Sequence, residues 1–219
     1  MQDGTPAVNP IHYFVCDSSN DCATIDPIGG AYQVNHGKEL PFPILTNSVY
    51  SISAENAQFY MAAKRCDDVE NDYASFDRFA RLACSLANQS SNAQDPVASA
   101  FTLLQNVSGT TGLNGASAGD QTQWSIVYDL KQMKVTFHTN QATNDKTFAI
   151  SAFDFSCANP ALILDVNDPS NGDVQAKFVS YTDQANRDIL QKTSDAFAHL
   201  PPQAIDAIVA AVGSPKCTQ

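Results

Sequence analysis

The feature that most constrains this chain is a change of pattern near residue 50. Residues 11–47 hold four stretches of strand-like composition, IHYFVC, CATID, AYQVN and FPILT, broken by the turn signals DSSND, PIGG and HGKELP. That reads as a β-meander. From Ser51 the β-branched residues thin out, and SISAENAQFYMAAKR, with Ser51 or Ser53 as N-cap, predicts a helix to about Arg65. In DYASFDRFARLACSLANQ, Phe76, Phe79, Ala80, Ala83, Leu86 and Ala87 recur at three- and four-residue steps, so a second helix buries one stripe, with Arg78 and Arg81 beside it. A third, DPVASAFTLLQNV, opens on Asp95 as cap and Pro96 at the first position, where a missing N–H costs nothing.

The stretch SGTTGLNGASAGDQTQ reads as an exposed or mobile loop, after which strands return. QWSIVYDL and MKVTFHTN form a predicted hairpin joined by Lys131 and Gln132, neither of which favours the positive φ of a tight turn. TFAISAF and ALILDV add strands, and TDQANRDILQKTSDAFAH and PPQAIDAIVAAV add helices. Runs of strands alternating with runs of helices predict an α+β layered fold with mainly antiparallel sheets rather than a parallel βαβ sheet. At 219 residues, the chain is long enough for a sizeable core, read here as a single domain over residues 11–219.

Charge and cysteine usage narrow the setting. Twelve basic against twenty-three acidic residues give a net charge of -11, which repels nucleic-acid phosphates and anionic membranes, so neither is an expected partner. No apolar run is long enough to span a membrane, and MQDGTPAVNP lacks the features of a signal peptide. Residues 1–10 are read as a leader or remnant. The six cysteines include no C-x-x-C pair and have only four His to join them, which favours disulfides over zinc, with buried free thiols as the competing reading. Cys16 and Cys22 bracket DSSND and would face each other if a hairpin turns there. Disulfides place the protein in a periplasm or outside the cell. Export without a signal of its own hints at a missing upstream segment.

Several segments, in order, resemble the choloylglycine hydrolase family, which includes bile-salt hydrolases and penicillin V acylases. They are Ile11-His12-Tyr13, Asp17, Thr24-Ile25-Asp26, Leu45-Thr46-Asn47, Asp77-Arg78-Phe79, the stretch from Gln123 to Leu130 and that from Lys134 to Thr139. Each is common alone, and their collinear order carries the resemblance. Two departures stand out. The family's Gly-rich approach to the arginine is replaced by CDDVENDYASF, and its Ser by Asp77, which leaves Arg81 competing with Arg78. The family's first portion, with its N-terminal catalytic Cys and the Arg and Asp that position it, has no counterpart before Ile11.

The resemblance implies part of an αββα sandwich of the N-terminal-nucleophile hydrolase type, cutting linear amide C–N bonds of small acyl amides without cofactor or metal. The thiolate of an N-terminal Cys attacks the amide carbon while its own α-amino group acts as base. Asn47 would serve the oxyanion site or hold that Cys in register, and Arg78 would lower the thiol pKa or orient the substrate carbonyl. Without a resemblance, Asn47 reads as a helix cap or Asx turn and Arg78 as a solvated helix charge. Cys16 reads as bonded or buried rather than as a nucleophile paired with His12 or His36. DVNDPSNGD reads as a turn rather than a calcium loop, because Pro169 occupies the fifth position. Trp124, Tyr128 and Phe137 read as core before they read as an acyl pocket.

The chain alone is expected to be inactive, and a sheet lacking some of its strands is expected to self-associate or to need the missing portion. The alternative is a secreted, disulfide-stapled binding domain on the same scaffold without catalysis.

Overall fold

The computed structural model describes residues 11–17, 19, 21–89, 95–109, 121–195 and 199–212. The predicted leader at 1–10 and most of the Gly-rich loop after Ser108 lie outside these. The chain divides into two compact units, one ending at Thr122 and one beginning at Gln123.

The first unit opens with a three-stranded antiparallel sheet, β1 (Tyr13–Cys16), β2 (Cys22–Ile28) and β3 (Ala31–His36), in the order β1-β2-β3. Gly29 and Gly30 join β2 to β3 with φ of 59° and 82°, the two positive values that a type I′ turn requires. Cys16 and Cys22 are partners across the β1–β2 ladder and form a disulfide, so this predicted pairing holds. Asp17 braces the turn between them, its carboxylate accepting from Ser19 N, Ser19 Oγ and Asp21 N; these bonds hold its pKa below the ordinary value.

The fourth predicted strand is absent: FPILT forms no ladder. Pro43 removes one N–H donor from the segment, and Pro41 removes another just before it. Tyr50 holds it instead, its hydroxyl donating to Phe42 O at 2.9 Å and accepting from Phe42 N at 3.1 Å. Burial pushes the Tyr50 phenol pKa up.

Three helices follow, α1 (Tyr50–Ala62), α2 (Ser75–Asn88) and α3 (Pro96–Gln105). Ser51 and Ser53 are not caps, since α1 begins at Tyr50 and Ser53 Oγ bonds back to Val49 O. Asp95 does cap α3, accepting from Ala98 N at 3.0 Å. The core between α1 and α2 takes part of the predicted stripe: Phe79, Ala80 and Ala83 are buried with Tyr50, Ala54 and Ala57, and Leu86 packs against them, but Phe76 and Ala87, expected in the same stripe, are exposed. Alanines on both helices allow close approach, and Phe79 fills the centre, edge-on to Phe42 and Tyr50 with ring centroids 6.0 and 5.7 Å away. A second disulfide, Cys66–Cys84, ties the turn after α1 to α2.

The second unit has a sheet in the order β4-β5-β6-β8, formed by β4 (Trp124–Asp129), β5 (Lys134–Thr139), β6 (Lys146–Ala149) and β8 (Gly172–Asp173), with only the β6–β8 pair parallel. A two-stranded ribbon pairs β7 (Leu162–Ile163) with β9 (Val179–Ser180), and helices α4 (Asp183–Thr193) and α5 (Pro202–Val212) follow. The β4–β5 hairpin is present, with its positive φ at Met133 and Gln132 N bonded to Asp129 Oδ1. Phe137 joins Val135 and Val174 in the core, but Trp124 and Tyr128, expected to be core, are exposed. DVNDPSNGD is a turn braced by Asp165 and Asp168 through Asn167 N and Ser170 N. Lys146 is fully buried; its ammonium donates to Ala142 O and Asn144 O and sits 5.2 Å from the Phe137 ring centroid. Among the described residues, no helix is long and apolar enough to cross a membrane.

Candidate functional site

The β1–β3 sheet turns an unusual face inward. Side chains alternate along a strand, so Thr24 and Asp26 of β2 lie on the same face as Asn35 of β3, and all three are buried. On the opposite face Tyr13, Val15, Tyr32 and Val34 are exposed, beside the ladder partners Ala23 and Ile25. The buried polar groups satisfy one another: Asn35 Nδ2 donates to Thr24 Oγ1 at 3.0 Å and to Asp26 Oδ2 at 3.3 Å, and His12 Nδ1 lies 2.5 Å from Asp26 Oδ1. His12 thus pairs with Asp26, and Cys16, bonded to Cys22, is no nucleophile.

Asp26 also reaches the helical layer. It accepts from Tyr50 N at 3.2 Å, serving one of the orphan donors at the start of α1, where the N-cap Val49 has no side chain to do so. The bond anchors the end of the segment that carries Thr46, Asn47 and Ser48. A second anchor comes from α2. Ser75 Oγ donates to Thr46 Oγ1 at 3.0 Å and accepts from Ser48 N at 2.9 Å, so the residues on either side of Asn47 are both held by one hydroxyl.

Asn47 itself is exposed, with Arg78 one helical turn beyond Ser75. Arg78 Nη2 donates to Asn47 Oδ1 at 2.6 Å, Arg78 Nε donates to Tyr73 O at 3.2 Å, and the guanidinium carbon lies 4.6 Å from the Tyr73 ring centroid. A guanidinium has donors only, so the Asn47 amide must face it with oxygen, which leaves the amide NH2 pointing away from Arg78. The site therefore presents an oriented N–H donor backed by a fixed positive charge.

The two arginines of α2 are used differently. Arg81 donates to the carbonyl oxygens of Glu70, Asp72 (2.7 Å) and Asn106 (3.3 Å), stitching the segment before α2 and the end of α3 to the helix. Desolvation holds its pKa below the ordinary value. Asp77, which stands where the resemblance has Ser, has its carboxyl pushed up, first by burial and then by Asp72, against a smaller lowering from Arg81.

Sequence reasoning named Asn47 and Arg78 but missed Ser75 and the role of Asp26. A serine at a helix start reads as an ordinary cap, and a lone acid in a strand carries no signal of its own. Two other cavities lie elsewhere. A polar one of about 530 Å³ is lined by Arg81, Asn71, Asn88 and Asn106, and an apolar one of about 350 Å³ in the second unit by Phe148, Phe153, Phe155 and Phe178.

No protein-family model matches the chain, and no curated protein matches it. Solved structures do. Penicillin V acylase from Agrobacterium tumefaciens superposes with a TM-score of 0.66 at 21% identity, covering 78% of this chain and 56% of that one. A variant and a mutant of conjugated bile acid hydrolase from Clostridium perfringens each give 0.56, at 12% and 13% identity, covering 78% of this chain and 54% of theirs. At these identities the likeness shows a shared fold. These are the two kinds of enzyme to which the sequence bears its resemblance, and the chain spans about half their length, as a later portion of such a fold would.

Proposed function

We propose that this chain supplies the later portion of a hydrolase of linear amide C–N bonds, with Asn47 as an oxyanion donor and Arg78 as the residue that fixes it. The observation that carries this reading is the 2.6 Å bond from Arg78 Nη2 to Asn47 Oδ1, in a fold shared with penicillin V acylase and bile acid hydrolase. Accepting from a cation polarises the amide, so its outward N–H groups become stronger donors to an oxygen that gains charge as the amide carbon is attacked. Arg78 rather than Arg81 serves the site, because the three backbone carbonyls already occupy Arg81.

The nucleophile in this reading is a thiolate from a further N-terminal segment. Among the described residues no cysteine is free. The thiolate adds to the amide carbon, the tetrahedral oxyanion collapses with the amine leaving as it takes a proton, and water hydrolyses the resulting thioester. That segment would complete an αββα sandwich. It or a second copy of the chain would cover the exposed apolar face of β1–β3. The substrate is a small acyl amide, and the disulfides Cys16–Cys22 and Cys66–Cys84 suit a periplasmic or secreted enzyme.

The saturated cysteines also support the second reading, a disulfide-stapled binding domain on the same scaffold. One experiment separates the two. Reading the coding sequence upstream of Met1 should reveal an in-frame signal peptide followed by a Cys, and co-expression of that segment should restore hydrolysis of a fluorogenic acyl amide. A well-folded complex without hydrolysis sinks the hydrolase and leaves the binding domain.

A further inference from the structure

We propose that Ser75 is the positioning residue of the Asn47–Arg78 pair. The amide-hydrolase reading matters to this only for the use to which the pair is put. Ser75 makes two bonds with one hydroxyl: the proton goes to Thr46 Oγ1 and a lone pair takes Ser48 N–H. A hydroxyl can do both at once, since it carries one donor and two acceptor sites.

The two partners flank Asn47, and Ser75 opens the helix that carries Arg78. The hydroxyl therefore couples the segment holding the acceptor to the helix holding the donor. Helix capping does not account for it. The N-cap of α2 is Ala74, no side chain caps it, and both bonds of Ser75 Oγ leave the helix. The coupling matters because Asn47 is exposed and Arg78 is a long, rotamer-rich side chain, so holding them 2.6 Å apart costs side-chain entropy. A rigid Thr46–Ser48 turn reduces that cost by fixing one partner in advance. Asp26 holds the same segment at Tyr50 N, farther from Asn47, and sets the start of α1 rather than the Asn47–Arg78 register.

The test is hydrogen exchange at the Arg78 guanidinium, followed by NMR on chain labelled with 15N-arginine. Ser75→Ala should speed exchange at the Arg78 Nη hydrogens roughly fivefold, the factor expected for a hydrogen bond of ordinary net strength. Ser75→Thr, which keeps the hydroxyl, should restore the rate to within about twofold of the parent. In an Asn47→Ala background, Ser75→Ala should add nothing, because the bond it supports is already gone. Unchanged exchange in Ser75→Ala, or equal acceleration with and without Asn47, overturns the proposal. If Ser75→Ala does not fold, Thr46→Val, which deletes only the accepting hydroxyl, carries the same expectation, and no acceleration there overturns it equally. Exchange is read without turnover, so a failed hydrolase reading leaves this result standing.

Discussion

Arg78 Nη2 donates to Asn47 Oδ1 at 2.6 Å, joining residues 31 apart in sequence. The bond fixes which way the Asn47 amide faces, and the first prediction follows from that orientation. Asn47→Asp keeps an oxygen for Arg78 and deletes the NH2. If the proposed hydrolase reading holds and an N-terminal segment supplies the thiolate, kcat of that complex should fall about a hundredfold to a thousandfold while KM changes little. Steady-state kinetics check this, with a thermal melt confirming the fold; parental turnover would remove Asn47 from the oxyanion role.

The division of labour between the two arginines is measurable as stability. Arg81→Ala leaves the carbonyls of Glu70, Asp72 and Asn106 without their charged donor and should cost roughly 2–4 kcal/mol in urea unfolding. Arg78→Ala, at a bond to an exposed side chain, should cost less than about 1 kcal/mol. A reversed order would mean that the helix depends on the wrong arginine.

Loss of the Cys16–Cys22 bond and loss of the Cys66–Cys84 bond should destabilise the chain unequally. Cys66–Cys84 closes a loop of sequence separation 18 and Cys16–Cys22 one of 6, so the chain-entropy relation gives about 3 and about 2 kcal/mol. Paired Cys→Ser variants, melted one pair at a time, should show the larger loss for Cys66 and Cys84. Equal losses would point to native-state packing rather than loop closure.

Asp77 makes stability depend on pH in a direction opposite to most carboxylates. Burial and the neighbouring Asp72 raise its pKa in the folded chain above the ordinary 3.8. The folded state then binds the proton more tightly, so the contribution is complete below pH 3.8 and is lost as pH rises through the folded value. Asp77→Asn should therefore raise the Tm at pH 7 and give no such gain below pH 3.8. Melting curves across pH 3–8 decide it, and a gain of the same size at both ends would rule out ionisation as its source.

Much of the first unit was legible because its signals are local. The spacing of Phe79, Ala80, Ala83 and Leu86 marked the packed face of α2, although it also took in Phe76 and Ala87, which are exposed; Asp95-Pro96 marked the start of α3, and the cysteines around DSSND marked the first hairpin. What escaped depends on contacts distant in sequence. FPILT has the composition of a strand, yet Pro43, Pro41 just before it and the Tyr50 hydroxyl hold it as an irregular segment. Trp124 and Tyr128 alternate as core residues do and still face outward. At the site, Asn47 and Arg78 were visible only through the resemblance. Ser75 had no signal, since its partners lie 27 and 29 residues away.

The sheet that buries Thr24, Asp26 and Asn35 while leaving Tyr13, Val15, Tyr32 and Val34 outside has a calorimetric consequence. A polypeptide that settles on the outer face removes mainly hydrocarbon and aromatic surface from water. Its association should show a large negative heat-capacity change and little dependence on ionic strength, although the chain carries eleven net negative charges. The acidity of this protein would then govern how it repels polyanions, while the strands choose their neighbour by shape and dryness.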